Sequence, residues 1–477
     1  MQAGDGRPSY DELAVLVVQQ AAVIEGLRAD NAALRAEIAD LKHRLGLNSR
    51  NSSKPPSSDG LAKPAPKSLR GKATRKPGGQ RGHPGSTLAQ VATPDEIRRY
   101  EPVSCLGCGD GLAGAAEVGV ARRQVFDLPR IQIRVTEHQV VARQCACGTV
   151  TCGAVPKGVD APVQYGPRIA AIVVYLYVGQ FLSRKRTAQA LAELFDIPLS
   201  AGTVTSMTRR AADGLGGFLA VAREQVTGSE VVHFDETGFR VDGRLRWVHS
   251  ASTGKYSLIV VHDKRGRVAM DAAGILPSFT GIAVHDAWAP YDCYPAATHA
   301  LCNAHLLREL VAVTETTPPR KDGWCWAEQV SDALLELKTL VDAAVATGQT
   351  SIDPASLVRL TGRIHSAAQI AVNTTHRRRD KLEAKHHALA RRILDRQADY
   401  LRFATDFRVP FDNNAAEREI RMIRLREKVS GCMRTLTGAH DFAAIRSYLA
   451  TAAKHSIGFL HALTELVAGR PWLPVTA

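Results

Sequence analysis

No run of about 18 consecutive apolar residues occurs in this 477-residue chain, so no membrane span is expected. The opening Met1-Gln2-Ala3-Gly4-Asp5-Gly6 has neither the basic segment nor the apolar run of a secretory signal. A cytoplasmic location is therefore expected. Cysteine is scarce, at nine residues, and in an unexported chain these read as metal ligands or free thiols rather than disulfides. Acid is also short: 47 Asp and Glu against 61 Lys and Arg leave a net charge of +14 and an isoelectric point near 9.5. Such an excess points to a polyanionic partner, with DNA, RNA and acidic membrane surfaces as candidates. The 45% apolar and 23% charged residues are ordinary for a globular protein, and the length suggests about three domains.

Residues 10–47 carry a heptad pattern. With Val17, Ile24, Asn31, Ile38 and Leu45 at a, Leu13, Gln20, Leu27, Leu34 and Leu41 fall at d. A single Asn among β-branched a neighbours and Leu d neighbours favours a parallel coiled-coil homodimer in fixed register, with an amphipathic helix packed on its own domain as the alternative. Residues 48–90 are a Pro-, Gly- and Ser-rich linker with Lys63, Lys67, Arg70, Lys72, Arg75, Lys76 and Arg81, and Asp59 is the one nearby acid. Such a segment buries no core, and it either lies along a phosphate backbone or is merely solvated. In 91–160, Cys105 and Cys108 precede the alternating Ile131, Ile133 and Val135, then Cys145 and Cys147. The alternation predicts a hairpin that returns the chain from one pair to the other, and four thiols so paired can hold a structural Zn²⁺. Cys152 can replace Cys145 or Cys147, and reduced structural thiols are the other reading. In 161–228, a helix over 186–195, a break at Asp196-Ile197-Pro198-Leu199 and a second helix capped by Ser200 resemble helix-turn-helix. Thr203, Thr205, Arg209 and Arg210 on the second helix are the expected DNA contacts, against a purely structural helix pair.

From Glu230 the pattern turns to strands: 231–235, a hairpin over 239–252 about Asp242-Gly243, then 256–263, 281–286 and 299–302. Three antiparallel strands, a crossover helix and further strands match the ribonuclease H-like order. No strand signal occurs between about 305 and 405, where helical blocks over 327–347 and 356–399 form an insertion. The overall expectation is a multidomain α+β protein: coiled coil, small zinc-binding region, helical DNA-binding domain, and a ribonuclease H-like α/β catalytic domain split into 229–304 and 406–477 by an all-helical insertion at 305–405.

Three acids stand out. Asp235 ends the run Val231-Val232-His233-Phe234, Asp286 ends Gly281-Ile282-Ala283-Val284-His285, and Glu417 opens a basic helix after the insertion. Carboxylates at strand ends and on a helix crossing the same sheet can converge as hard oxygen ligands for two Mg²⁺ (or Mn²⁺) ions. Each alone reads equally as a cap or a dipole partner. Glu236 and Asp292 are local decoys, since Glu236 should point to the opposite face of its strand, and Asp412 is a candidate either to support the ligands from behind or to substitute for one. Arg421 and Arg424, at i+4 and i+7 from Glu417, either neutralise the carboxylates, grip a DNA strand or are solvated. Cys302 and His305 offer only two ligands and read as packing and hydrogen-bonding groups beside the site. No function is assigned to Cys293, Cys325 or Cys432.

Four motifs, in this order, carry a family resemblance: Asn51-Ser52-Ser53-Lys54-Pro55-Pro56-Ser57-Ser58-Asp59, Pro77-Gly78-Gly79-Gln80-Arg81-Gly82-His83-Pro84-Gly85, His233-Phe234-Asp235-Glu236-Thr237-Gly238-Phe239-Arg240 and Asp412-Asn413-Asn414-Ala415-Ala416-Glu417-Arg418. Over nearly its full length the chain resembles transposases of the insertion sequence 66 family, TnpC type. The resemblance implies a leucine zipper, basic linker, zinc region, helical domain and DDE catalytic domain with an insertion, and a catalytic triad of Asp235, Asp286 and Glu417. Cys302-x-x-His305 looks like the C-x-x-H element near the second aspartate of such enzymes. Cys145-Ala146-Cys147 departs from the more usual C-x-x-C. Strand cleavage and transfer at terminal inverted repeats of double-stranded DNA, into target DNA, and accessory proteins encoded with the element are further implications. A DNA-binding regulator with an inert catalytic domain and a nuclease without strand transfer are the competing readings.

Overall fold

A computed structural model describes residues 9–48, 50–52, 88–129, 131–317, 323–378 and 380–474. Lys72, Arg75, Lys76 and Arg81 of the basic linker lie outside the described residues.

Helix α1 (Tyr10–Gly46) starts at a capping box. The Ser9 hydroxyl accepts from Glu12 N, and the Glu12 carboxylate accepts from Ser9 N at 2.8 Å, so two amides that have no intrahelical partner are satisfied. Its apolar seam stands in solvent: Leu13, Val17, Ile24, Leu27, Leu34 and Ile38 are all exposed. The foot of the helix meets the insertion, where Asp40 pairs with Lys385 at 3.6 Å and the buried Asn51 donates to Glu315 at 2.6 Å.

The region 91–160 holds two short strands, β1 (Ala142–Gln144) and β2 (Val150–Cys152), paired antiparallel about Cys145–Gly148. The hairpin expected from Ile131, Ile133 and Val135 does not form. These side chains are 49%, 47% and 88% exposed, and an alternating segment with no second layer to bury its apolar face has nothing to hold it as a strand.

Helices α2 (Pro167–Val174), α3 (Arg184–Phe195), α4 (Ala201–Asp213) and α5 (Gly216–Thr227) follow. Ser183 and Ser200 cap α3 and α4, and Asp196, left-handed at φ 53°, ends α3. The helix pair thus forms where the break and cap residues place it.

Next comes a five-stranded sheet in the order β5-β4-β3-β6-β7: β3 (Val231–Val241), β4 (Arg244–Ser252), β5 (Ser257–His262), β6 (Ile282–His285) and β7 (Thr298–Leu301). β3, β4 and β5 are antiparallel, while β6 and β7 run parallel to β3. Asp242 and Gly243, both at positive φ, close the β3–β4 hairpin with Val241 opposite Arg244, as Asp-Gly predicts. At Gly281, just before β6, a Cβ would stand 2.6 Å from Ser229 O and 2.8 Å from Glu230 O, so only glycine lets β6 approach the start of β3. Helix α6 (Arg267–Ala273) bridges β5 and β6.

After β7 the chain is helical: α7 (Asn303–Thr316), α8 (Trp326–Ala346), α9 (Pro354–Thr374), α10 (Lys381–Asp395) and α11 (Gln397–Thr405), then α12 (Asn414–Ser430), α13 (Leu436–Lys454) and α14 (Phe459–Val467). The expected single block over 356–399 is divided into α9 and α10, because Asp380 starts a fresh cap that accepts from Glu383 N at 2.8 Å. Two cores result. One joins α2–α5, the central sheet, α13 and α14; the other joins the inserted helices to Ile282, Val284, Ala300 and Leu301 of β6 and β7. The insertion is therefore packed onto one face of the same sheet.

Candidate active site

Asp235 does not end a strand, as its sequence context suggested. β3 continues through it to Val241, because the β4 hairpin partner pairs the whole length, with Asp235 opposite Ser250. What ends near Asp235 is the parallel pairing with β6, whose last register is His233–Val284. Beyond it β6 finishes at His285, and Asp286 follows, with Trp288 N donating to its Oδ1 at 3.1 Å. The split between β3 and β6 opens just where the two aspartates stand.

Glu417 approaches the two aspartates from α12, near enough for its charge to act on Asp235. Its helix is anchored by Asn413, which is 1% exposed. Asn413 Nδ2 donates to Phe234 O at 2.7 Å, its Oδ1 accepts from His233 Nδ1 at 2.9 Å, and its N–H donates to Cys302 Sγ at 3.2 Å. One side chain thus ties the start of α12 to the strand segment that carries Asp235. Asp412 accepts from Asn414 N at 3.0 Å, just before the helix.

The electrostatics record the convergence. Burial pushes the Asp235 carboxyl well above the ordinary carboxylate range, and the charges of Glu236, Asp286 and Glu417 push it the same way. His305 feels the same group: burial lowers its ring, Arg308 lowers it further, and Glu417 and Asp286 oppose. Glu417 is 12% exposed at its side chain. Its Oε2 accepts from Arg421 Nη2 at 2.7 Å, while Oε1 is buried with no protein hydrogen bond. Arg421 thus pairs with Glu417 alone of the three acids, whereas Arg424 faces Glu427 at 3.7 Å. An all-oxygen set of like charges suits a hard divalent cation, but the oxygens of Asp235, Asp286 and Glu417 do not all lie within 4.8 Å of one another, so a shared ion would have to draw them together.

Glu236 and Asp292 each have other side-chain partners, although the charge of Glu236 still acts on Asp235. Glu236 points to the other face of β3, where it accepts two bonds from Arg265 at 2.8 and 3.1 Å and one from Tyr291 at 2.8 Å. Arg265 is in turn stacked over Trp288 at 3.9 Å and Trp247 at 4.9 Å. Asp292 pairs with Arg396 at 2.7 Å.

Of the expected DNA contacts on α4, Arg209 and Arg210 are exposed. Arg209 is paired with Asp213 at 3.1 Å, and the Thr203 hydroxyl meets Ser200 at 3.0 Å. Thr205 spends its hydroxyl on Ala201 O at 3.1 Å. Cys105–Cys108 and Cys145–Cys147 each sit in a tight turn, closed by Gly109 N to Cys105 O and by Gly148 N to Cys145 O, both at 2.9 Å. Hydrogen bonds from Thr149 lower the Cys147 thiol to about 7. Among the described residues no three of these thiols lie within 4.8 Å of one another.

Three site features escaped the sequence reading. Asn413 was legible only as part of a motif, without a role. The Arg265–Tyr291 clamp on Glu236 has no spacing signal. Cys302 and His305 gain a third partner in Glu417, 3.9 Å from His305 Nδ1; the C-x-x-H spacing was the one available hint.

Residues 162–441 match the family described as Transposase IS66 family. The match takes in the sheet, the three acids and the whole insertion and covers more than half of the chain. The protein belongs to the IS66 transposase family. Residues 6–89 match a family of unknown function (DUF6444), so the N-terminal helix and the basic linker carry a second signature. No curated protein matches the chain.

Proposed function

We propose that this protein is a DNA transposase that binds the terminal inverted repeats of its element and cleaves and joins DNA strands at Asp235, Asp286 and Glu417. The observation that carries this reading is that three partly buried carboxylates, on β3, just after β6 and in the first turn of α12, stand near enough for the charges of Asp286 and Glu417 to act on Asp235, although their oxygens do not all lie within 4.8 Å of one another. The sheet order, three antiparallel strands followed by two parallel ones, supports the ribonuclease H-like assignment. Two Mg²⁺ (or Mn²⁺) ions held by these residues would activate a water or 3′-hydroxyl and stabilise the leaving oxygen. Asn413 holds the α12 carboxylate over β3, and Arg421 offsets part of the charge. Glu236, clamped by Arg265 and Tyr291, stays out of the ligand set.

The remaining charge serves DNA. The basic linker, including Lys72, Arg75, Lys76 and Arg81, neutralises backbone phosphates. Thr203, Arg209 and Arg210 on α4 read the repeat, with Arg209 exchanging Asp213 for phosphate. Thr205 contributes less, because its hydroxyl is occupied. Arg424 grips the scissile strand beside the site. The exposed seam of α1 pairs with a second copy, with Asn31 fixing the register. Cys105, Cys108, Cys145 and Cys147, in two tight turns, supply the thiols for a structural Zn²⁺.

Asp235→Asn, Asp286→Asn and Glu417→Gln decide the matter. Each is expected to abolish Mg²⁺-dependent cleavage of end DNA while binding of the same DNA survives. Full cleavage by any one of them overturns the triad.

A further inference from the structure

Cys302, His305 and Glu417 make a cluster whose sulfur and nitrogen donors the phosphodiester chemistry does not use. Their donor atoms all lie within 4.8 Å of one another. His305 Nδ1 and Glu417 Oε1 face each other at 3.9 Å, and each is buried without a protein hydrogen bond. At that separation no hydrogen bond joins them in either tautomer of the ring, so two desolvated polar atoms face each other without a partner. Cys302 is the residue just before α7 and His305 lies in its first turn, so the C-x-x-H spacing puts both on one side of the helix.

We propose that Cys302, His305 and Glu417 form a binding site for a thiophilic divalent cation of the Zn²⁺ class, which competes with the hard-oxygen pair site for Glu417. Sulfur, imidazole and carboxylate are the ligand types of tetrahedral Zn²⁺, with the fourth position left to water, whereas Mg²⁺ avoids sulfur. Donors held at about 2.0–2.3 Å from a tetrahedral ion stand about 3.4–3.7 Å apart, so the cluster needs to close by about 1 Å. The supports of a ligand set are in place: Asn413 N donates to Cys302 Sγ at 3.2 Å, and Arg421 fixes the other oxygen of Glu417 at 2.7 Å. On binding, a bond forms from Sγ to the cation and the thiol proton leaves to solvent, with no change of oxidation state. A cation seated here draws Glu417 away from Asp235 and Asp286, so the site is inhibitory. That consequence rests on the proposed strand-cleavage reading; the binding itself does not.

Cobalt tests the site without reference to activity. In the full-length chain carrying Cys105, Cys108, Cys145, Cys147 and Cys152 as serine substitutions, Co²⁺ titration is expected to give one equivalent with a near-ultraviolet thiolate charge-transfer band. Cys302→Ser should abolish the band, and His305→Ala and Glu417→Gln should each weaken Co²⁺ binding about tenfold or more, with thermal melts reporting that the variants stay folded. Where the substituted background does not fold, the comparison is the loss of one bound equivalent between the unaltered chain and Cys302→Ser. A band or equivalent that survives Cys302→Ser, or no cobalt bound outside the N-terminal thiols, overturns the site. In a second arm, micromolar Zn²⁺ should inhibit Mg²⁺-dependent cleavage by the unaltered protein and inhibit Cys302→Ser much less; equal inhibition overturns the competition. A chain with no cleavage at all under Mg²⁺ sinks the transposase reading and leaves the cobalt titration to decide the site.

Discussion

Replacing Asn413 by alanine tests whether α12 is positioned by a single buried side chain. Asn413 gives Phe234 O a donor at 2.7 Å and His233 Nδ1 an acceptor at 2.9 Å, from a position 1% exposed. Each such bond is worth about 1 kcal/mol net, and each buried partner left unsatisfied costs about 1–3 kcal/mol more. Partial rehydration of the vacated space offsets some of this, so a loss of about 2–4 kcal/mol is expected, or a fall in melting temperature of roughly 3–6 °C for a cooperative unit of about 300 residues. Cleavage should fall much further than the folded fraction does. Glu417 lies one turn beyond Asn413, and displacement of a ligand by about 1 Å costs on the order of a hundredfold in rate. The assay pairs urea unfolding with Mg²⁺-dependent cleavage of end DNA at a temperature where the variant remains folded. Asn413→Ala with unaltered cleavage refutes the positioning argument, and a stability change under about 0.5 kcal/mol refutes the hydrogen-bond account.

Asp235→Asn should raise the melting temperature of the cation-free protein even as it removes activity. The folded pKa of Asp235 is raised above its unfolded value, so the native state favours the protonated form. Wild type loses stability as pH rises through that folded pKa, asparagine does not titrate, and the advantage of the variant should therefore grow toward alkaline pH. A melting difference that is constant with pH contradicts this. Arg265→Leu leaves Glu236, 1% exposed at its side chain, as an unpaired buried charge and should cost about 3 kcal/mol. Adding Glu236→Gln should restore much of it in denaturant unfolding, and strictly additive losses refute the pairing. The α1 seam predicts a dimer by sedimentation, which Leu27→Asp with Leu34→Asp should convert to monomer; an unchanged mass means that the seam has another partner.

Local chemistry was enough for several elements. Ser200 starts α4 and Asp242-Gly243 closes the hairpin, because each acts over three or four residues of adjacent chain. The alternation at Ile131, Ile133 and Val135 misled for the converse reason: a strand needs a partner and a layer to bury against, and neither is written in the segment itself.

What the sequence determined by itself is the family and the candidate acids: Asp235 and Glu417 within its motifs, and Asp286 at the end of an apolar run, in a basic background. Their roles required the tertiary structure. Asp235 sits mid-strand because β4 pairs beyond the point where β6 stops, which no local pattern encodes. Glu236, its immediate neighbour, is removed from the site by Arg265 and Tyr291, which approach from the opposite face. Asn413 joins Phe234 across 179 residues and Cys302 across 111, and only the folding of α12 over the sheet brings Glu417 to His305. Residue type sets which ions and charges a side chain can handle. Which atoms share one desolvated volume is decided by packing between segments far apart in the chain.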